Sequence, residues 1–252
     1  VKKEFISKYR QTLLGPLWYI LQPLLMSGVL TLVFGKLSGL STDGVPQLLF
    51  YFSGLVTWGY FTVAFSQTAD ILISNSHMFK KVYFPRMVMP LSVVISKMLV
   101  YGTQFIIFVV LLLYFKIFTE DSVSIHPDLL KILFLTPVYL LVTALLSLGV
   151  GLMFAAVTVK YKDFTHVLGF FVQLWFYATP IVYPVSKIPS RYHYVILINP
   201  LIPVVDGFRA AFLGTPALEV NYLFGAILTS ILSVFLGVLL FNSVERNFVD
   251  VI

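Results

Sequence analysis

The sequence predicts an all-α membrane protein: six transmembrane helices, an N-terminal amphipathic helix lying in the membrane interface, and two short re-entrant helices before the last span. Three observations carry this. Of 252 residues, 59% are hydrophobic and 11% charged, with a mean hydropathy of +0.94. A soluble domain carries roughly 45–50% apolar and about 25% charged residues, because it must cover its surface with polar groups. Second, six stretches approach the ~20 apolar residues that a spanning helix needs. Third, the net charge of +6 comes from cations placed in short segments between apolar runs. That pattern suits lipid headgroups and orientation control better than nucleic acid.

The expected spans are residues 17–37, 48–69, 88–115, 133–159, 167–183 and 222–241. The third and fourth exceed the bilayer's need, which predicts tilt or projection into water. An even number of spans puts both termini on one side. That side carries Lys2, Lys3, Lys8, Arg10, Lys80, Lys81, Arg86, Lys160, Lys162 and Arg246. The opposite side carries Lys36, Lys116, Lys131, Lys187, Arg191 and Arg209. The bias predicts cytoplasmic termini. No repeat or linker interrupts the chain, so residues 1–252 read as one membrane domain.

Three segments do not span. In residues 2–13, Phe5, Ile6, Tyr9 and Leu13 share one helical face, opposite Glu4, Ser7, Lys8 and Gln11. Such a helix lies in the headgroup plane. Residues 75–86 form a cytoplasmic loop in which Asn75 can cap a short helix and Pro85 stop it. Phe79, Val82 and Tyr83 would share its apolar face beside Lys80 and Lys81, as a peg seated in another protein would. Residues 184–216 are apolar and aromatic, but Pro189, Pro200 and Pro203 cut them into pieces too short to span. Two re-entrant helices near 188–198 and 201–213, on the external side, are expected, since irregular backbone at membrane depth must be buried in protein or line a cavity.

Chemistry is marked mostly by absence. With no cysteine, disulfides and thiolate metal sites are excluded. The histidines (His77, His126, His166, His193) lack metal-ligand spacing, and no P-loop pattern is present. No acidic relay sits near a midplane. Asp206 and Arg209, three residues apart, have the spacing of a local ion pair. Aromatic residues are abundant instead. Trp175, Phe176, Tyr177, Tyr183, Tyr192 and Tyr194 gather about the external end of the fifth span, and Tyr19, Trp58, Tyr60 and Phe61 are further candidates. Aromatic faces stack on sugar C–H faces while tyrosine hydroxyls bond their rims. A sliding polymer needs many such weak contacts.

These residues also carry a family resemblance. The run Tyr9-Arg10-Gln11-Thr12-Leu13-Leu14-Gly15-Pro16-Leu17-Trp18, with Gln22-Pro23 after it, resembles the N-terminal motif of ABC-2-type polysaccharide export permeases. Lys80-Lys81-Val82-Tyr83-Phe84-Pro85-Arg86 is similar to their coupling loop. Lys160-Tyr161-Lys162-Asp163-Phe164 resembles the loop before their fifth span. Ala178-Thr179-Pro180-Ile181-Val182-Tyr183-Pro184, Asn199-Pro200 and Gly207-Phe208-Arg209 resemble their gate region. The resemblance implies a homodimeric channel lined by the first and fifth spans in the bacterial cytoplasmic (inner) membrane. It implies two copies of a separate nucleotide-binding ATPase, and a lipid-linked glycan, O antigen before teichoic acid or capsule. ATP and magnesium would sit on that partner; this chain would need no cofactor and catalyse nothing itself. Phe79, Lys80, Lys81, Tyr83 and Arg86 become ATPase contacts, while Phe5, Tyr9 and Arg10 belong to the interface helix. Tyr19, Trp175, Tyr177, Pro180, Tyr183, Asn199, Pro200 and Arg209 become channel and gate residues. An exporter of lipids or small amphiphiles is the alternative with the same architecture, and would have a narrower, more aliphatic path. A membrane-embedded enzyme would need clustered acids or histidines within the spans.

Overall fold

The computed structural model describes residues 17–74, 87–119, 125–161 and 163–247, without the side chains of Tyr19, Ser190 and residues 244–247. The expected interface helix (2–13) and coupling loop (75–86) lie outside the described residues. Those described form helices and no strands: α1 (Trp18–Leu30), α2 (Gln47–Ala69), α3 (Ile71–Ser74), α4 (Val88–Phe118), α5 (Leu129–Lys160), α6 (Phe164–Ala178), α7 (Tyr194–Ile198), α8 (Leu201–Leu213) and α9 (Val220–Asn247). Among the described residues, five stretches are long and apolar enough to cross a membrane: Ile20–Leu37, Gln47–Ala69, Val88–Phe118, Leu129–Lys160 and Val220–Ser243.

Helix ends follow local chemistry. α1 carries Pro23 and passes into a π-helical stretch, Thr31–Leu37, that completes the first apolar run. α5 starts one turn before the apolar run expected from 133, because Asp128 caps it. Its carboxylate accepts from the amides of Leu130 (3.1 Å) and Lys131 (3.2 Å), two donors that otherwise lack an intrahelical partner. α6 ends at Ala178, five residues short of the expectation. Thr179 precedes Pro180, which disfavours helical backbone at the preceding residue, and Thr179 is extended. At 15 residues α6 is about 22 Å long, less than the ~30 Å hydrocarbon core.

The segment expected as a helix over 188–198 is broken into tight turns at Val185–Lys187 and Ser190–Tyr192 and the five-residue α7. Pro184 and Pro189 withhold the amide donors a longer helix would use. The second expected piece, 201–213, is α8.

α2 is the buried centre, packed between α4 and α5. α5 also runs along α9, and there the backbones nearly touch. A Cβ on Gly149 would strike Ser233, and one on Gly237 would strike the Gly149 carbonyl. Close approach through small residues replaces the hydrophobic drive that lipid does not supply between helices. Contacts between connections fix the two ends of the bundle. The Ser186 hydroxyl donates to the Asp43 carboxylate (2.9 Å), and the amides of His126 and Asp128 donate to the carbonyls of Leu213 (3.4 Å) and Ala211 (2.9 Å). These last bonds satisfy carbonyls that the final turn of α8 leaves open. Residues 38–46, 125–128 and 179–219 therefore share one end. At the other, the Thr158 hydroxyl donates to the Ala69 carbonyl (3.3 Å).

Candidate functional site

Where α6 gives way to the proline-rich segment, several expected gate residues meet. The break at Thr179-Pro180 releases carbonyls from helical pairing, and two buried side chains collect them. Asn199 is 6% exposed and uses its whole amide. Its Oδ1 accepts from Trp175 Nε1 (2.9 Å) and the Leu201 amide (3.1 Å). Its Nδ2 donates to the Thr179 hydroxyl (3.0 Å) and the Ala178 carbonyl (3.3 Å). A side-chain amide offers two acceptor sites and two donors, so all four are matched. Asn199 thus ties the end of α6 to the start of α8, and Pro200 is the first residue beyond it.

Arg209, in the third turn of α8, is 1% exposed. The i,i+3 spacing admits an ion pair with Asp206, but the structure arranges the two otherwise. The Asp206 carboxylate accepts from the Leu218 amide (2.9 Å). The Arg209 guanidinium donates to the carbonyls of Pro180, Ile181 (2.8 Å) and Phe50 (3.2 Å) and to the Ser53 hydroxyl (3.3 Å). It lies 3.6 Å from the centre of the Phe50 ring, a cation–π contact. Gly54 makes room, since a Cβ there would come within 2.8 Å of Nη2. Three elements, α2, α8 and the 180–181 turn, are thus clamped by one cation. Burial pushes the Asp206 carboxyl above the ordinary carboxylate range, against the Leu218 amide and the Arg209 charge that pull it down.

The aromatic candidates divide. Trp58, Tyr60 and Phe61 are buried in the core, and the Tyr60 hydroxyl donates to the Val94 carbonyl (3.2 Å). Trp175 is half-buried, edge-on to Phe61 (4.9 Å) and Phe171 (5.0 Å), with its N–H committed to Asn199. The Tyr183 hydroxyl donates to the Tyr177 carbonyl (3.3 Å). Tyr177 itself is 58% exposed. It belongs to a stripe on α6 that includes His166, Phe170 and Gln173, all exposed. Spacings of four, three and four residues align these on one helical face. The opposite face, with Leu168, Phe171, Trp175 and Phe176, packs against the core.

Sequence reasoning missed Phe50, Ser53 and Gly54 as partners of Arg209. One signal pointed to them: an arginine in the apolar run of α8 requires several buried acceptors, and a broken helix end supplies carbonyls. Which turn of α2 supplied the rest was not marked. Of the stripe on α6 only Tyr177 was expected; His166, Phe170 and Gln173 were missed, although their four-three-four spacing could have marked them. No group of three or more histidine, cysteine or acidic residues able to hold a metal occurs among the described residues.

Comparison with known proteins agrees with this architecture. The chain is 24% identical over 250 residues to an O-antigen export system permease protein RfbA of Klebsiella pneumoniae, covering 99% of this chain and 92% of that one. It is 28% identical over 214 residues to the protein of the same name in Myxococcus xanthus, covering 84% and 78%. It is 24% identical over 247 residues to a polysialic acid transport protein KpsM of Escherichia coli, covering 97% and 91%. The family model described as ABC-2 type transporter matches residues 1–213, most of the chain, including Asn199 and Arg209, so this multi-pass membrane protein belongs to the ABC-2 type transporter family.

Proposed function

We propose that this chain is the permease subunit of an ATP-driven exporter that carries a lipid-linked polysaccharide, O antigen foremost, across the bacterial cytoplasmic membrane. The channel is a homodimer, and two copies of a separate ATPase supply the work. The names of the relatives support the substrate class. The observation that carries the channel is the stripe His166, Phe170, Gln173 and Tyr177. The exposed face of α9 is aliphatic and aromatic between Phe224 and Leu240, which suits lipid. A stripe that mixes an amide, a phenol and an imidazole with aromatic carbon suits a hydrated sugar chain, once a second copy screens it from lipid.

In this reading the chain crosses six times with both ends cytoplasmic. α6 with the 179–183 turn makes the fifth crossing, α7 and α8 re-enter from outside, and residues 184–216 form the external gate. Residues 2–13 and 75–86 are the handles, with Phe79, Lys80, Lys81, Tyr83 and Arg86 against the ATPase. α2 is the connecting rod. Its C-terminal end leads into the 75–86 handle, and its N-terminal half holds Arg209. A push on the handle therefore reaches the gate through a buried helix rather than a flexible loop. Pro180, Asn199, Pro200 and Arg209 hold the gate's shape, while Tyr177 touches the glycan. Teichoic acid or capsule are the alternatives within the class, and small amphiphiles the alternative outside it.

The absence of cysteine makes the test direct. Q173C and Y177C, in cells whose own copy is deleted, are expected to react with a water-soluble maleimide and to export less glycan than the parent chain, while L228C restores export without reacting. Deletion alone should leave lipid-linked polymer inside the cell, and the purified chain should bring an ATPase subunit with it. Unreactive thiols at 173 and 177, or undiminished surface glycan in the deletion, overturn the reading.

A further inference from the structure

Just beyond Tyr177 the fold closes a second feature that the channel does not require. A cavity of about 270 Å³ opens between the end of α6 and the 184–202 segment. Its floor is apolar, built by Ala178, Val195 and Ile202. Its rim is formed by Tyr183, Lys187 and Tyr192. We propose that this pocket binds one acidic sugar unit, a single pyranose ring bearing a carboxylate, of the glycan as it leaves the channel. The proposal rests on the export reading and adds the chemistry of one substrate unit to it.

Four features favour that ligand. The volume lies just under the ~300–1,000 Å³ of pockets that hold drug-sized molecules, which suits one ring rather than a long segment. Two tyrosines on the rim offer flat faces for sugar C–H groups, and the Tyr192 hydroxyl can donate to a ring oxygen. The charge of the lining itself is positive: Lys187 lines the pocket and no carboxylate is among the lining residues, while Arg191 lies against the Tyr192 ring (4.7 Å) and the Asp43 carboxylate is engaged by Ser186. Lys187 makes no ion pair among the described residues. The rim is also held in place before any ligand arrives. The Tyr183 hydroxyl is fixed on the Tyr177 carbonyl, and the turn carrying Lys187 is pinned where Ser186 donates to Asp43. A preorganised site loses less entropy on binding. A phospholipid headgroup shares the anionic chemistry but would not need two aromatic walls beside an apolar lining.

The test uses the full chain in lipid nanodiscs with its ATPase partner, and saturation-transfer NMR with glucuronic acid, glucose and glycerol 1-phosphate as probes. Glucuronic acid is expected to bind with a dissociation constant on the order of millimolar, and glucose about tenfold more weakly, as the loss of one charge-assisted hydrogen bond implies. K187Q should erase that preference, and Y192A should weaken both sugars, while K116Q, far along α4, changes neither. Thermal unfolding that matches the parent chain shows that the variants are folded. Glucuronic acid binding that K187Q leaves unchanged overturns the proposal. Glycerol 1-phosphate binding as tightly as glucuronic acid, with the same loss in K187Q, overturns it in favour of a lipid headgroup. The two readings fail separately. Undiminished glycan export without the chain sinks the export function, whereas export that depends on the chain while K187Q binds glucuronic acid normally sinks only the pocket.

Discussion

Arg209 shows how a single residue can organise a membrane fold. A cation with no water around it is costly unless hydrogen bonds replace its hydration. Here three carbonyls, a hydroxyl and the face of Phe50 do so. The planar five-donor fork is what makes this possible; lysine has a compact ammonium with three donors and cannot reach acceptors on three elements at once. R209K is therefore expected to lower stability by about 2–4 kcal/mol, since it strands buried acceptors each worth ~1–3 kcal/mol. R209M, which keeps the bulk and removes every donor, should cost at least as much. Thermal unfolding in detergent reads both, and an unchanged midpoint in R209K would show that the clamp carries no stability. At this scale the sequence was legible only in part. Asn199, Pro200, Pro180 and Arg209 were picked out, and they do assemble. Asn199 and Arg209 collect carbonyls around the break at 178–181, and Arg209 adds the Phe50 carbonyl and Ser53 hydroxyl of α2, which no one-dimensional pattern displays.

At the scale of elements, composition located the long apolar helices and missed their ends. Apolar runs report where lipid is tolerated, whereas caps and prolines decide where hydrogen bonding stops. The start of α5 illustrates this. Asp128 accepts from the Lys131 and Leu130 amides and pairs with the Lys131 ammonium (3.2 Å). The Lys131 amide, then its side chain, holds the carboxyl below its ordinary pKa. A depressed folded-state pKa gives stability that is complete above the unfolded value of about 3.9 and fades as pH falls through the folded one. D128N keeps a capping oxygen but cannot titrate, and asparagine caps about as well as aspartate. The stability advantage of the parent chain over D128N is thus expected to be constant above about pH 5 and to shrink as pH drops below about 4. Thermal unfolding of both chains across that range measures it, and a gap that widens in acid contradicts the cap. The same distinction explains α6. Its apolar run continues to Tyr183, but Thr179-Pro180 ends the helix and frees the carbonyls that Asn199 and Arg209 collect.

For the molecule as a whole, the decisive quantity is how the bundle's two ends are populated. Length alone leaves the fifth crossing open, since α6 is about 22 Å long and five other stretches suffice by themselves. Contacts between connections are what favours a fifth crossing. Ser186 meets Asp43, and the 125–128 segment caps α8, so 38–46, 125–128 and 179–219 lie together. Thr158 meets Ala69 at the other end. On the six-crossing reading proposed above, the chain returns to the first end after Phe164 by passing along the bundle once more, although its helix is short of the full depth. This geometry makes a topology prediction on a cysteine-free background. Single cysteines at Ser41, Ser186 and Glu219 are expected to react with a membrane-impermeant thiol reagent in intact spheroplasts, where only the external face is exposed. A cysteine at Ser74 is expected to react only after the membrane is opened. Labelling of Ser186 from the side opposite to Ser41 would mean that α6 does not cross. The gate, the stripe on α6 and the acidic-sugar pocket would then lose their shared position at the exit, because each depends on α6 delivering Tyr177 and Ala178 to the same end as the 38–46 loop.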